Sequence, residues 1–381
     1  MNIGLFTDTY PPQINGVATS VFMLQKELTQ RGHRVYVFTT SDPHADTTPL
    51  NVIRLPSIPF AFLPSHRVAI MYSPKLLRRI KSLQLDIVHS HTEFPLGFLG
   101  SLVAKMYGIP RVHTYHTMYE DYVHYIFNGK LLSPNAAKRF SRMFCNRAHL
   151  MIAPTAKTRN YLQEIGVTRP IETIPTGIDF STMAPGNYSA ETLAATRAQY
   201  GIAPSDPVVV SIGRVAREKS LDVLVAAMPK VLAVLPNAKL LIVGGGPVQA
   251  DLAQQAAALG ITDAVLFAGP QPWETIGKFY QLGNLFATAS TSETQGLTYI
   301  EAMAAQVPVA VKNDPCFVER IVHGQTGFVF DGQHDVAEVL LHALTSPEAV
   351  KRVVANGLEV IEPLSARAYA GSVERAYCSL L

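Results

Sequence analysis

The stretch Leu285-Phe-Ala-Thr-Ala-Ser-Thr-Ser-Glu-Thr-Gln-Gly-Leu-Thr-Tyr-Ile-Glu-Ala-Met-Ala-Ala305 joins an apolar run, a short polar loop and a second apolar segment. The run 285–290 is typical of a strand in a parallel sheet, and 298–305 is typical of a helix. Ligands bind at the carboxyl ends of such strands, where the N–H groups that open the next helix attract an anion such as a diphosphate. The stretch therefore predicts a ligand site with Glu293 before the helix and Glu301 about one turn inside it.

The order of strand, loop and helix repeats through residues 208–312, which predicts a parallel sheet with helices between its strands. We expect strands at 208–213, 239–244, 264–268, 285–290 and 308–312, and helices near 219–235, 248–259, 274–283 and 298–305. Three of the strand ends carry the basic pair Arg214 and Lys219, a glycine turn that includes Gly245, and the two glutamates. Glutamates eight positions apart are common in unrelated chains, so it is this combination that indicates a site.

The first half of the chain shows the same pattern, which predicts another parallel sheet. Its strands are expected at 3–7, 34–39, 86–91, 111–116, 151–155 and 171–175, with an amphipathic helix over 18–31. Gly16 precedes that helix, and a residue without Cβ lets the backbone approach a ligand closely. The loop lacks the G-x-G-x-x-G pattern, so we infer no nicotinamide cofactor. The segment 58–63 places apolar side chains among prolines, which favours a loop.

The length of 381 residues exceeds what one hydrophobic core usually spans, so two domains are expected. We predict a first domain over 1–175, a polar, turn-prone linker region over 176–207 and a second domain over 208–362, and 363–381 should form a helix. The chain start lacks the basic region and long apolar core of a signal peptide, and no uncharged apolar run reaches eighteen residues. We therefore expect a cytoplasmic protein that does not span a membrane.

Cysteine and histidine show no metal-ligand spacing in the sequence. Cys145, Cys316 and Cys378 are widely scattered, and we interpret them as reduced core or surface thiols. His89 and His91 end an expected strand without a nearby third ligand. We interpret these two histidines as packing or loop-ordering residues, with metal binding as the alternative.

The charge of the chain is uneven. Residues 1–200 hold 20 Lys+Arg and 12 Asp+Glu, which gives +8, whereas residues 201–381 hold 12 and 17, which gives −5. A basic half suggests attraction to a membrane surface, a nucleic acid or an acidic acceptor. The helix expected over 74–83 mixes apolar residues with cations that include Arg78 and Arg79, and a second basic segment contains Lys138 and Arg142. Such a helix can lie at a bilayer surface, but a helix docked on a sheet has the same pattern.

Arg214, Lys219 and the Glu293-x7-Glu301 pair together resemble the sugar-donor half of the retaining glycosyltransferases in glycosyltransferase family four. The resemblance covers nearly the whole chain. It implies the GT-B fold, an α/β fold in which two Rossmann-like, doubly wound parallel-sheet domains face each other across a cleft and a C-terminal helix crosses back to the first domain. One departure is Gln295, where many members have an aromatic residue before the motif glycine.

The resemblance also implies roles for the charged residues. Arg214 and Lys219 would offset the negative charge that grows on the departing diphosphate. Glu293 would bind the hydroxyls of the sugar, and Glu301 the hydroxyls of the ribose. Glu293 is expected to orient the sugar rather than to attack it, because the acceptor hydroxyl attacks from the face that the diphosphate leaves.

Further roles follow from the same resemblance. The N–H groups of Leu297 and Thr298 would meet the phosphates, Gly16 and Gly245 would lie close to the sugar donor, and His116 would reach the sugar across the cleft. Asp-x-Asp occurs nowhere in the chain, so a metal clamp of the kind used by the other major glycosyltransferase fold is not supported. We expect no bound cofactor and no metal requirement.

The segment Tyr115-His-Thr-Met-Tyr-Glu-Asp-Tyr122, together with residues 291–301, most resembles the branch of the family that glucosylates diacylglycerol. Tyr119 and Tyr122 would line an apolar groove for the acceptor, with simple core packing as the alternative. We therefore expect transfer of glucose from UDP-glucose to the 3-hydroxyl of 1,2-diacylglycerol, by an enzyme held on the inner face of the cell membrane at an anionic surface, with no nucleic acid as partner. The alternatives are another lipid, a polyprenol or a soluble sugar as acceptor, a nucleotide-sugar 2-epimerase on the same fold, and a non-enzymatic lipid- or nucleic-acid-binding module.

Overall fold

The computed structural model describes residues 1–13, 15–45, 50–60, 63–70, 73–118, 133–331 and 335–381. The chain forms two compact units. The first unit contains Met1–Gly177 and Leu364–Leu381, and the second contains Ile178–Pro363. Each unit is built on a parallel sheet with helices packed against it.

The strands of the first unit are β1 (Asn2–Phe6), β2 (Arg34–Thr40), β3 (Val52–Leu55), β4 (Ser57–Phe60), β5 (Leu63–Ala69), β6 (Ile87–Ser90), β7 (Arg111–Thr114), β8 (Leu150–Ala153) and β9 (Ile171–Thr173). Those of the second unit are β10 (Val208–Ile212), β11 (Lys239–Val243), β12 (Val265–Gly269), β13 (Leu285–Thr288), β14 (Val309–Lys312) and β15 (Phe328–Phe330). The helices are α1 (Gly16–Gln30), α2 (Pro74–Ser82), α3 (Pro95–Tyr107), α4 (Pro134–Cys145), α5 (Ala156–Glu164), α6 (Ala190–Gln199), α7 (Leu221–Val234), α8 (Gln249–Ala258), α9 (Ile276–Leu282), α10 (Leu297–Ala304), α11 (Pro315–Val318), α12 (Val336–Thr345), α13 (Pro347–Ile361) and α14 (Ala366–Cys378).

The first unit contains a seven-stranded sheet in the order β3-β2-β1-β6-β7-β8-β9, and every adjacent pair in it is parallel. The strand order reverses between β1 and β6. In open α/β sheets, ligands bind at the carboxyl ends of the two strands that flank such a reversal. At this point the N–H of His91 donates to the carbonyl of Phe6 at 2.9 Å, and the N–H of Asp8 donates to Thr92 Oγ1 at 3.0 Å.

The second unit contains a six-stranded sheet in the order β12-β11-β10-β13-β14-β15, again with parallel pairing throughout. Its strand order reverses between β10 and β13. Arg214 follows β10 and Glu293 follows β13, so the sheet topology brings both segments to one edge. This confirms the parallel α/β architecture that the sequence predicts.

The alternation of side chains along β1 divides the core of the first unit into two faces. Ile3 and Leu5 pack with residues of α1 and α14, whereas Phe6 packs with residues of α3. Phe6 also stacks on Phe38 of β2, with ring centroids 4.4 Å apart. Because helices cover both faces, consecutive side chains of β1 from Ile3 to Phe6 are buried rather than alternating between buried and exposed.

The C-terminal helix α14 belongs to the core of the first unit. Its residues Tyr369 and Tyr377 are buried beside β1 and α1. The hydroxyl of Tyr369 lies 3.3 Å from Ser20 Oγ, and at the surface Glu374 forms an ion pair with Arg31 at 2.5 Å.

The segment 178–207, predicted to form most of a linker region, lies within the second unit and contains α6. Helix α6 contacts α9. Arg197 of α6 donates to the carbonyl of Leu282 at 3.1 Å and to that of Asp206 at 2.6 Å. These hydrogen bonds fix α6 to the body of the second unit.

The prediction of a loop at residues 58–63 was wrong for its described part. Residues 57–60 form β4, which pairs with β5 as an antiparallel hairpin. Pro59 lies beside a register shift in this pairing. A strand with an open edge tolerates proline at such an irregularity, and the partner strand cannot be identified from the local sequence.

Candidate active site

The second unit places the loop that contains Glu293 directly before α10. Gly296 precedes the helix with a φ of 75°, and a Cβ there would lie 2.9 Å from an aromatic ring carbon. Only glycine adopts this left-handed conformation without strain, so the helix can begin immediately after the loop. Leu297 and Thr298 open the helix, where backbone N–H groups lack partners within the helix. Glu301 lies one turn inside, as the sequence predicts.

Lys219 and Glu293 form an ion pair at this edge of the sheet. Lys219 Nζ lies 2.5 Å from Glu293 Oε1, and the two side chains are 23% and 17% exposed. A hydrogen bond from Ser292 Oγ to the carbonyl of Glu218, at 3.4 Å, ties the two loops together. The arrangement places a cation suited to a phosphate beside a carboxylate suited to sugar hydroxyls.

Arg214 is held by a carboxylate that the sequence analysis missed. Arg214 Nη2 donates to Glu218 Oε1 at 2.7 Å, and the side chains are 35% and 5% exposed. A charge-assisted hydrogen bond of this kind orients the guanidinium group. Glu218 directly precedes Lys219 in the sequence, but its partner follows only from the fold of the loop.

Glu301 is buried, and its carboxylate accepts a hydrogen bond that the sequence analysis also missed. Tyr280 of α9 donates from its hydroxyl to Glu301 Oε2 at 2.6 Å. Burial raises the pKa of Glu301, whereas the hydrogen bond from Tyr280 lowers it. Tyr280 therefore favours the ionised form, which accepts hydrogen bonds from hydroxyl groups.

The glycine turn after β11 brings two backbone segments together, but the closest contacts fall on the neighbours of Gly245. A Cβ on Gly244 would lie 1.9 Å from the carbonyl oxygen of Gly213, and one on Gly246 would lie 2.1 Å from that of Val215. At Gly245 the nearest atom would be 3.0 Å away, on a proline side chain. The turn thus packs against the loop after β10 that carries the basic pair.

In the first unit, His116 follows β7 and lies against His91, which follows β6. His91 Nδ1 is 3.0 Å from His116 Nε2. The pKa of His116 is lowered to about 3, mainly by burial and to a smaller extent by the charge of His113. His116 is therefore a neutral imidazole near neutral pH.

Asp8 lies at the end of β1, where it organises the start of α3. Its carboxylate accepts hydrogen bonds from Thr92 Oγ1 at 2.5 Å and from the N–H of Leu96 at 3.2 Å. Burial, and to a smaller extent the nearby charge of Glu93, outweighs these hydrogen bonds and raises the pKa of Asp8 to about 7. Asp8 was not predicted as a site residue, because its partners lie more than eighty positions away in the sequence.

The comparison with protein families matches both parts of the chain. Residues 14–182 match the model described as Glycosyltransferase Family 4, and residues 194–360 match the model described as Glycosyl transferases group 1. The chain is 39% identical to an alpha-monoglucosyldiacylglycerol synthase of Streptococcus pneumoniae, over 90% of this chain and 78% of the relative. It is 34% identical to an alpha-monoglucosyldiacylglycerol synthase of Acholeplasma laidlawii, over 100% of this chain and 98% of the relative. This chain belongs to glycosyltransferase family four.

Solved structures of similar fold support the architecture of this glycosyltransferase. HepE of Anabaena, in complex with UDP and glucose, matches with a TM-score of 0.80 at 19% identity and covers 99% of both chains. WaaG, a glycosyltransferase involved in lipopolysaccharide biosynthesis, matches with a TM-score of 0.71 at 19% identity over 98% of both chains. The chain has the GT-B fold that the sequence predicts.

The residues predicted for the glycosyltransferase's acceptor and membrane contacts are only partly described. Tyr119 and Tyr122 lie outside the described residues, and Gly16 is the exposed first residue of α1. Arg78 and Arg79 are exposed on α2, and on α4 Arg142 is exposed and Lys138 is half-buried. Apolar residues of α2 pack into the core of the first unit, so its outward face offers cations. Within the described part of the chain, none of the helices has the length and apolar character that crossing a bilayer requires.

The glycosyltransferase also buries a group that could hold a metal ion. Ligand atoms of Glu93, His113 and Cys145 lie within 4.8 Å of one another. His113 Nδ1 is 2.8 Å from the carbonyl oxygen of Ser90, which only accepts, and His113 Nε2 is 3.0 Å from Glu93 Oε1. When Nδ1 donates to the carbonyl of Ser90, Nε2 faces the carboxylate of Glu93. Cys145 shows no metal-ligand spacing in the sequence, because Glu93 and His113 are distant from it along the chain.

Proposed function

We propose that this chain transfers glucose from UDP-glucose to the 3-hydroxyl of 1,2-diacylglycerol, with retention of configuration, and so makes α-monoglucosyldiacylglycerol. The observation that carries the proposal is the 34% identity to an alpha-monoglucosyldiacylglycerol synthase over 100% of this chain and 98% of the relative. A likeness of this extent includes the acceptor side as well as the sugar-donor motif. The complex of HepE with UDP and glucose supports the choice of a UDP-sugar as the donor.

The charged edge of the second sheet supports a site for the diphosphate. In the absence of substrate, Lys219 is balanced by Glu293 and Arg214 by Glu218. When the diphosphate enters, Lys219 and Arg214 turn toward its oxygens, and Glu293 accepts hydrogen bonds from the sugar hydroxyls. The two cations then stabilise the negative charge that develops as the bond between the anomeric carbon and the diphosphate breaks.

The transfer itself needs no protein nucleophile in this proposal. The oxygen of the acceptor hydroxyl forms the new bond to the anomeric carbon on the face that the diphosphate leaves. The hydroxyl proton passes to an oxygen of the departing phosphate, so atoms and charge balance. Glu293 then has an orienting role, which its ion pair with Lys219 fits better than covalent attack.

The remaining predicted residues bind the rest of the sugar donor. The N–H groups of Leu297 and Thr298 open α10 and suit the phosphates, since helix N-termini attract anions. Glu301, kept ionised with the help of Tyr280, accepts hydrogen bonds from the ribose hydroxyls. Gly16, the first residue of α1, and Gly245, in the turn after β11, would let the backbone approach the substrate closely, and His116 would donate a hydrogen bond to it.

We also propose that the reaction requires no metal ion. The cations Arg214 and Lys219, together with the helix N–H groups, supply the positive charge that a metal clamp would otherwise supply. Activity should therefore be unchanged after treatment with EDTA and without added divalent cations. A loss of activity that Mg²⁺ or Mn²⁺ restores would contradict this part of the proposal.

The enzyme is further proposed to act at the inner face of the cell membrane. The cations on α2 and α4 would bind anionic headgroups, and each such cation near the surface contributes about 1 kcal/mol. This contact brings the enzyme to its lipid acceptor.

The proposal is tested by incubating the enzyme with radiolabelled UDP-glucose and vesicles that contain diacylglycerol, with and without anionic lipid. Label should move into the organic phase as monoglucosyldiacylglycerol, and anionic lipid should increase the rate. Label that stays in the aqueous phase while UDP still binds would exclude diacylglycerol as the acceptor. Conversion of the nucleotide sugar without any acceptor would favour the epimerase alternative.

A further inference from the structure

We propose that His91 is a positioning residue for the transfer reaction, because it holds His116 in the tautomer that carries its proton on Nδ1. In this state His116 donates a hydrogen bond from Nδ1 to a hydroxyl or phosphate oxygen of the substrate. The inference rests on the substrate contact proposed for His116, and it adds a residue that the sequence suggests only as a packing group.

The two imidazole rings are arranged as a pair. Their centroids are 5.3 Å apart with planes 25° apart, and His91 Nδ1 lies 3.0 Å from His116 Nε2. His91 is 1% exposed, whereas His116 is half-buried. His91 therefore supports His116 from the interior of the first unit, at the point where the strand order reverses.

The two facing nitrogens share one proton, because a hydrogen bond between imidazole nitrogens has one nitrogen that donates and one that accepts. Burial disfavours a charged form of either ring. For His116, burial is the main cause and the charge of His113 the second cause that lower the pKa to about 3.

The surroundings of His91 decide which nitrogen donates. His91 Nε2 is buried and has no hydrogen-bond partner among the described residues. If His116 donated, His91 would carry its proton on Nε2, as a buried N–H without an acceptor. Buried N–H groups without a partner are rarer in folded proteins than under-satisfied acceptors. The favoured state has the proton on His91 Nδ1, which leaves His116 Nε2 as the acceptor and puts the His116 proton on Nδ1.

A third histidine keeps His91 in place. The ring of His89 lies 4.0 Å from that of His91, between centroids. Both nitrogens of His89 are used, by the hydroxyl of Tyr377 at 2.6 Å and by Thr114 Oγ1 at 2.7 Å. His89 is thus fixed on both sides and limits the movement of His91.

Two substitutions separate the hydrogen bond from the packing. His91→Asn keeps an N–H donor near the position of Nδ1, whereas His91→Phe keeps a ring but removes the hydrogen bond. In His91→Phe, kcat should fall about tenfold, which corresponds to about 1.4 kcal/mol, with the KM for UDP-glucose little changed. His91→Asn should recover most of that loss. Tyr369→Phe, which removes a buried hydroxyl from the same unit, serves as a control for lost stability and should leave kcat unchanged.

The tautomer of His116 is read directly from ¹⁵N NMR of histidine-labelled enzyme without substrate. In the wild type, His116 should show a protonated Nδ1 and a bare Nε2, and His91→Asn should match it. In His91→Phe, the Nε2–H form of His116 should appear. A wild-type His116 protonated on Nε2, or a His91→Phe enzyme with wild-type kcat, would overturn the inference. If no glucose reaches diacylglycerol at all, the proposed function fails, whereas the NMR result still decides the tautomer.

Discussion

Replacing Asp8 by asparagine tests whether one buried carboxyl group makes the first unit less stable as the pH rises. Asp8 is 8% exposed, and burial raises its pKa from an ordinary value of 3.8 to about 7. Between these two values the folded chain keeps a proton that the unfolded chain has released. The contribution of Asp8 to stability is therefore greatest below pH 3.8, falls as the pH rises, and levels off above about 7.

The size of the effect follows from the shift of the pKa. Within this window each pH unit changes the free energy of unfolding by about 1.4 kcal/mol. Between pH 5 and pH 7 the group should therefore lower the stability of the wild type by about 2 kcal/mol, because the slope decreases as the pH approaches 7. The Asp8→Asn variant lacks the carboxyl group that titrates. It also alters the hydrogen bonds with Thr92 and Leu96, but asparagine does not titrate, so those altered bonds add no slope of their own.

The measurement is urea unfolding at several pH values between 5 and 8, followed by far-ultraviolet circular dichroism. Tryptophan fluorescence would not serve, since the single tryptophan, Trp273, lies in the second unit. Asp86→Asn is the control, because it removes an exposed carboxylate from the same unit. The free energy of unfolding of Asp8→Asn minus that of the wild type should increase as the pH rises from 5 to about 7. A difference that stays constant, or that Asp86→Asn reproduces, would refute the reasoning.

Three further predictions concern the proposed function. Glu293→Gln and Lys219→Ala should each lower turnover by orders of magnitude with an unchanged circular dichroism spectrum, and near-normal activity in either would remove that residue from the site. Tyr280→Phe removes the hydrogen bond that lowers the pKa of Glu301, so a larger fraction of this buried carboxyl is protonated and accepts hydrogen bonds from ribose hydroxyls less well. UDP binding in calorimetry should therefore weaken by about tenfold, the order of one hydrogen bond to a charged group. Unchanged affinity would argue against a ribose contact of Glu301. The third substitution set neutralises the four proposed membrane cations together: Arg78, Arg79, Lys138 and Arg142. It should weaken binding to anionic vesicles in a flotation assay but leave UDP binding unchanged. Unchanged flotation would exclude a membrane role for these residues.

Much of the fold could be predicted because parallel strands buried on both faces have a strong local signature. The apolar runs at β10, β11 and β13 and the helices between them were visible as continuous segments of the expected length. The hairpin of β4 and β5 was not visible, since its pairing depends on a partner strand and on an edge position that no local pattern reveals. The prolines that favour a loop at Pro59 are compatible with that edge.

Some residues of the candidate site could be predicted from the sequence, and others could not. Glu293 and Lys219 could be proposed from the sequence, because both are charged residues that follow strands with a clear apolar pattern. The structure places the two side chains in contact. Tyr280 and Asp8 could not, because each acts through a partner on another element. The pairing of Glu218 with Arg214 could not either, because it depends on how their shared loop folds. The role proposed for His91 depends on the burial of one ring nitrogen, a property that only the packed structure defines.

The position of α14 has a consequence for how the chain folds during synthesis. The second unit, Ile178–Pro363, is inserted between two parts of the first unit. When the ribosome has made the first 177 residues, the surface that will receive Tyr369 and Tyr377 is still uncovered, and it stays so until α14 emerges. The first unit is therefore completed only after the second unit has been made, and a chain cut after Pro363 would leave this apolar surface open to aggregation.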